Sequence, residues 1–120
     1  MFLLEPWDWQ IRMHNNHKTL IQMLDLSSRQ IEYEELIREE SRQQVKPILL
    51  ELEKTTKEYK ELIKNKADSN AIIDKKKKID KLQKKYNKIQ KEYMERLKKI
   101  LTPEQNKKFK IIRTQLFLKY

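Results

Sequence analysis

Residues 98–109 read KKILTPEQNKKF, and this stretch decides the fold. A threonine and a proline interrupt a lysine-rich sequence that is otherwise helical in character. Thr102 suits an N-cap, and Pro103 suits the first helical position, where its missing N–H costs nothing. Gln105 stands where a side chain can reach back and complete a capping box. One helix therefore ends near Ile100 and another begins at Pro103. As an N-cap, Thr102 should contribute about 1 kcal/mol, and Gln105 somewhat less.

Upstream, LDLSSRQ at residues 24–30 has the same form: Ser27 can cap and Gln30 occupies the capping-box position. A helix is expected from Ser28 to about Asn65. Val45, Leu49, Leu52, Tyr59 and Ile63 fall on one stripe of it, and Pro47 is expected to kink or divide it. NKADSN at residues 65–70 is a turn, with Asp68 and Ser69 as alternative N-caps. Beyond it Ile72, Ile79, Leu82, Tyr86, Ile89, Tyr93 and Ile100 repeat at coiled-coil spacing. So narrow a seam cannot be buried by one helix alone. It requires the preceding helix antiparallel beside it, a second copy of the chain, or both, and a homodimer is expected. The last helix, from Pro103 to about Leu118, carries Phe109, Ile112, Leu116 and Phe117, enough apolar surface to dock. Residues 1–23 form an N-terminal arm, partly helical, with Trp7, Ile11, Met13, Leu20 and Met23 in an imperfect helical pattern. The expected architecture is all-α: long bent helices in a thin, extended helical hairpin spanning residues 24–120.

Composition agrees with that reading. The 120 residues contain no glycine and three prolines, which disfavours tight hairpin turns and favours helix. The absence of cysteine removes disulfides and thiolate metal sites. The net charge of +10 is unevenly placed: residues 1–63 hold 9 Lys/Arg and 12 Asp/Glu, whereas residues 64–120 hold 19 and 6. The second half thus carries the field that would attract acidic proteins, nucleic acid or anionic lipid. No apolar run approaches the ~18 residues of a membrane span, and MFLLEPWDWQ lacks the basic and apolar regions of a signal peptide. No stable membrane insertion is expected, and either the protein stays in the cytosol or its secretory leader lies outside this chain.

Two motifs of the form Leu-Ser/Thr-x-x-Gln, Leu26-Ser27-Ser28-Arg29-Gln30 and Leu101-Thr102-Pro103-Glu104-Gln105, flank the long hairpin. The pair resembles the Spy/CpxP family of periplasmic chaperones and envelope stress regulators, which is defined by paired LTxxQ motifs. The stretch YMERLKKILTPEQNKKF, residues 93–109, is similar to that family throughout; the first motif departs from it in having Ser27 for threonine, and serine caps equally well. The likeness covers about residues 24–118. It implies a cradle-shaped antiparallel homodimer in the periplasm that binds unfolded or partly folded proteins without ATP or another cofactor.

No catalytic constellation is visible, so an enzyme is not expected. His14 and His17 fall near one helix face and could supply part of a metal site, but two ligands do not make one. Heavy-metal-sensing relatives of the family use N-terminal histidines at a different spacing, with further His and Met ligands that have no match here. The candidate client surface is the basic helix that starts at Lys75-Lys76-Lys77-Lys78 and continues through Lys81, Lys84, Lys85, Lys88 and Lys91. On the blander reading this is the solvated face opposite the Ile79–Leu82–Tyr86 seam. Non-specific nucleic-acid binding is the alternative. It is disfavoured by the scarcity of arginine, by the absence of a recognition motif, and by the acidic stretch IEYEELIREE at residues 31–40.

Overall fold

The computed structural model describes residue 18 and residues 20–116, with side chains as far as Ile112. The arm residues Trp7, Trp9, Ile11, Met13, His14 and His17 lie outside that span, as do the side chains of Leu116 and Phe117. A helical stretch over residues 20–24 leads into helix α1 (Ser28–Lys64), followed by α2 (Ser69–Ile100) and α3 (Pro103–Leu116). The fold is all-α, and the molecule measures 54 × 24 × 19 Å. Both helix starts marked by capping boxes fall at the expected residue. Helix α1 is continuous through Pro47.

Antiparallel pairing of α1 and α2 follows from their ion pairs: Glu40 meets Arg96, Glu51 meets Lys78 and Glu58 meets Lys75, so the partners run in opposite directions. The coiled-coil seam is therefore covered within the chain. Val45, Leu49 and Leu52 of α1 bury Ile79, Leu82 and Tyr86 of α2, with Ile48, Tyr59 and Ile89 at the margin. Ile63 departs from the expected stripe: it is half exposed near the tip, and so is Ile73 opposite. A second cluster lies at the other end, where Leu20, Leu24, Leu26 and Ile37 pack with Tyr93, Met94, Leu97, Leu101, Phe109 and Ile112. Leu20, Leu97 and Phe109 are fully buried there, so both terminal helical segments dock onto the base of the hairpin.

Among the described residues two left-handed turns occur, and in a chain without glycine both fall on ordinary residues, Asp25 (φ 50°) and Lys66 (φ 52°). At Lys66 the turn closes α1 as a Schellman motif: Ala67 N–H donates to Leu62 C=O at 2.9 Å and Lys66 N–H to Ile63 C=O at 3.1 Å. At Asp25 the equivalent long bond runs from Leu26 N–H to Ile21 C=O at 3.4 Å. Of the two caps proposed for α2, Asp68 takes the position, without a side-chain hydrogen bond.

Candidate functional site

The two capping boxes form as their sequences require. Gln30 N–H donates to Ser27 Oγ at 3.2 Å and Ser27 N–H to Gln30 Oε1 at 2.9 Å. Gln105 N–H donates to Thr102 Oγ1 at 3.2 Å and Thr102 N–H to Gln105 Oε1 at 2.9 Å. Spacing along the chain gave no hint that the two boxes would meet. Residues 30 and 105 lie face to face, each amide donating to the other: Gln30 Nε2 to Gln105 Oε1 at 2.7 Å, Gln105 Nε2 to Gln30 Oε1 at 3.1 Å. Each amide also donates across the corner to a backbone carbonyl, Gln30 to Ile100 at 2.9 Å and Gln105 to Leu24 at 3.0 Å. Because each Oε1 accepts a backbone N–H from its own cap, neither amide can be flipped without losing bonds on both sides. Asn106 completes the corner by donating to Lys98 C=O at 3.2 Å and Leu101 C=O at 3.4 Å. Leu26 and Leu101, the leading residue of each motif, are buried beneath.

One turn above this clasp, Glu34 is fully buried although it sits in the acidic stretch. Its Oε1 accepts the Tyr93 hydroxyl at 2.7 Å and lies 3.5 Å from Arg38 Nε. Burial, and secondarily the adjacent Glu34 carboxylate, push the Tyr93 phenol well above its ordinary value near 10. The sequence signal was a glutamate in helical register with Ile37 and Gln30, overlooked because the acidic run was weighed only as a charge against nucleic acid.

The lysine run divides in the structure. Lys75 and Lys78 turn toward α1, where hydrogen bonds from them hold Glu58 and Glu51 below the usual carboxylate range. Lys81, Lys84, Lys85, Lys88 and Lys91 are all exposed on the side of α2 away from Ile79, Leu82 and Tyr86. None of these five makes an ion pair among the described residues. The only large apolar side chain exposed on described α2 residues is Ile73, one turn before Lys77.

Among the described residues no group of three or more His, Cys, Asp or Glu is placed to hold a metal ion, and no helix is long and apolar enough to cross a membrane. A shallow groove on α1 is lined by Leu50, Glu53, Lys54, Lys57, Glu58 and Glu61. Compared with known protein families, with curated proteins and with solved structures, the chain matches none.

Proposed function

We propose that the chain is an ATP-independent chaperone, or an envelope stress regulator, of the Spy/CpxP type. The observation that carries this reading is the direct pairing of Gln30 with Gln105. A capping box accounts for glutamine at this position in each helix start, but not for the two side chains bonding each other. Two halves of one paired motif account for both. Periplasmic residence belongs to the same proposal.

In this reading the ammonium groups of Lys81, Lys84, Lys85, Lys88 and Lys91 draw in acidic or partly unfolded chains by long-range attraction. Apolar contact comes from the hairpin tip, where Ile63 and Ile73 are half exposed. Charge sets the rate of capture and the small apolar tip sets residence, which keeps binding reversible without an energy source. Since the α2 seam is satisfied within the chain, dimerisation requires another surface. Leu36 and Leu50 supply it, more than half exposed and two heptads apart on the outer side of α1.

The test is suppression of aggregation of a denatured acidic protein by near-stoichiometric chain, without nucleotide. Lys84→Glu, Lys85→Glu and Lys88→Glu together should slow capture, and Ile63→Ser with Ile73→Ser should speed release. Light scattering should give a dimer that Leu36→Glu with Leu50→Glu dissociates. No protection at several-fold excess of the chain ends the chaperone reading, and a monomer at micromolar concentration ends the dimer.

A further inference from the structure

From the placement of charge on α2 we infer that its outer face seats one phosphate backbone of a nucleic-acid duplex, without regard to base sequence. This inference is independent of the chaperone reading.

Helix α2 carries 12 Lys/Arg against 4 Asp/Glu, a net +8, whereas α1 carries 8 against 9. The hairpin is therefore electrically two-sided. Within α2, Lys77, Lys81, Lys84, Lys88 and Lys91 follow one another at steps of four, three, four and three, so all five project from one side. All five are exposed, and none has a carboxylate partner among the described residues. At 1.5 Å per residue the row is about 21 Å long. One strand of a duplex presents a phosphate every 3.4 Å along its axis but winds by about a tenth of a turn with each, so the row meets about four phosphates where the strand runs beside it.

The acidic stretch that counted against nucleic acid in the sequence is placed elsewhere by the fold. It lies on α1: Glu34 is buried against Tyr93, Glu40 pairs with Arg96, and Glu39 is held by Gln43 and Arg42. Of the carboxylates on α2 itself, Asp74 and Glu92 stand at the two ends of the row, Asp80 is in helical register with Lys77 and Lys84, and Glu95 continues the face one turn beyond Lys91, within 4.0 Å of Lys98. The face is also nearly free of apolar groups, since Tyr86 and Tyr93 are buried in the core and Ile73 stands alone before the row. With no aromatic side chain to stack on bases, a single strand loses its main source of affinity, and the backbone of a duplex is the partner that charge alone can hold.

The experiment is fluorescence anisotropy of a labelled 20-base-pair duplex titrated with the full chain from 50 to 300 mM salt. About four phosphate contacts predict a log–log salt slope of about −3.6, unchanged when the base sequence is scrambled. Lys81→Gln, Lys84→Gln and Lys88→Gln together keep good helix formers and should reduce the slope by about 2.7. Lys46→Gln, Lys54→Gln and Lys57→Gln on α1 should leave it unchanged, with circular dichroism confirming that both variants are folded. The inference is overturned by absence of binding at 50 mM salt, by equal losses in the two variants, or by poly-glutamate of matched charge binding as tightly as the duplex. Client protection is measured separately and leaves these outcomes unaffected.

Discussion

Replacing Gln105 by alanine should destabilise the chain far more than removing the cap residue beside it. The Gln105 side chain accepts one backbone N–H, from Thr102, and donates to Leu24 C=O and to Gln30 Oε1. It also accepts from Gln30 Nε2. A hydrogen bond contributes a net ~1 kcal/mol, and the corner is only partly buried, so losing this set should cost about 2–3 kcal/mol. Thr102→Ala, which removes the hydroxyl accepting Gln105 N–H, should cost about 1 kcal/mol. That order reverses the expectation from capping alone, in which the glutamine was the minor partner. Because Gln30 and Gln105 share two bonds, the double alanine variant should be less destabilised than the sum of the singles, with a coupling of about 1–2 kcal/mol. Urea denaturation of the four proteins measures this, and for a chain of this size 1 kcal/mol corresponds to roughly 4 °C in Tm. Additivity within ~0.3 kcal/mol, or a Gln105→Ala cost no larger than that of Thr102→Ala, would refute the clasp.

Two further outcomes follow from buried polar groups. Tyr93 binds its proton more tightly in the folded chain than in the unfolded one, so its contribution is fully present below the unfolded value near 10 and is lost as pH rises through the higher folded value. Melting temperature should therefore fall as pH rises above 10, and Tyr93→Phe should flatten that fall while costing stability at pH 7. Thr55 is fully buried with its hydroxyl unpartnered among the described residues, so Thr55→Val, which keeps the shape and removes the unpaired group, should raise stability by about 1 kcal/mol. A drop in Tm for that variant would mean that the hydroxyl is bonded in solution.

The parts of the fold that local chemistry controls could be read from the residues in order. Ser27 and Thr102 marked two helix starts because a cap is decided within four residues, and Ile79, Leu82 and Tyr86 marked a buried seam because helical period brings them together. What depended on the third dimension could not be read. Nothing in a separation of 75 residues says that two glutamines will meet, and nothing in IEYEELIREE says which glutamate is taken into the core. Asp25 and Lys66 were hidden for a different reason. Left-handed helix ends are ordinarily flagged by glycine, and this chain makes them without any. Of the candidate site, the exposed lysines were legible from helical register, but the diversion of Lys75 and Lys78 to glutamates of α1 required knowing which helix lies alongside.

The separation of the core into two apolar clusters bears on how the molecule opens. The cluster at the base joins residues from four helical segments under the glutamine clasp, whereas the one toward the tip is held by two helices alone. Between them α1 places Ser41, a buried side chain that adds no apolar contact. Native-state hydrogen exchange should therefore resolve two cooperative units. Amides near Leu97 and Phe109 should exchange only through global unfolding, while those from about Leu52 to Ile79 exchange through a cheaper opening in which the hairpin end splays and the base stays intact. Such an opening would free the inner surfaces of Val45, Leu49 and Tyr86 for moments at a time, so the native ensemble holds more apolar surface in reserve than its closed form displays.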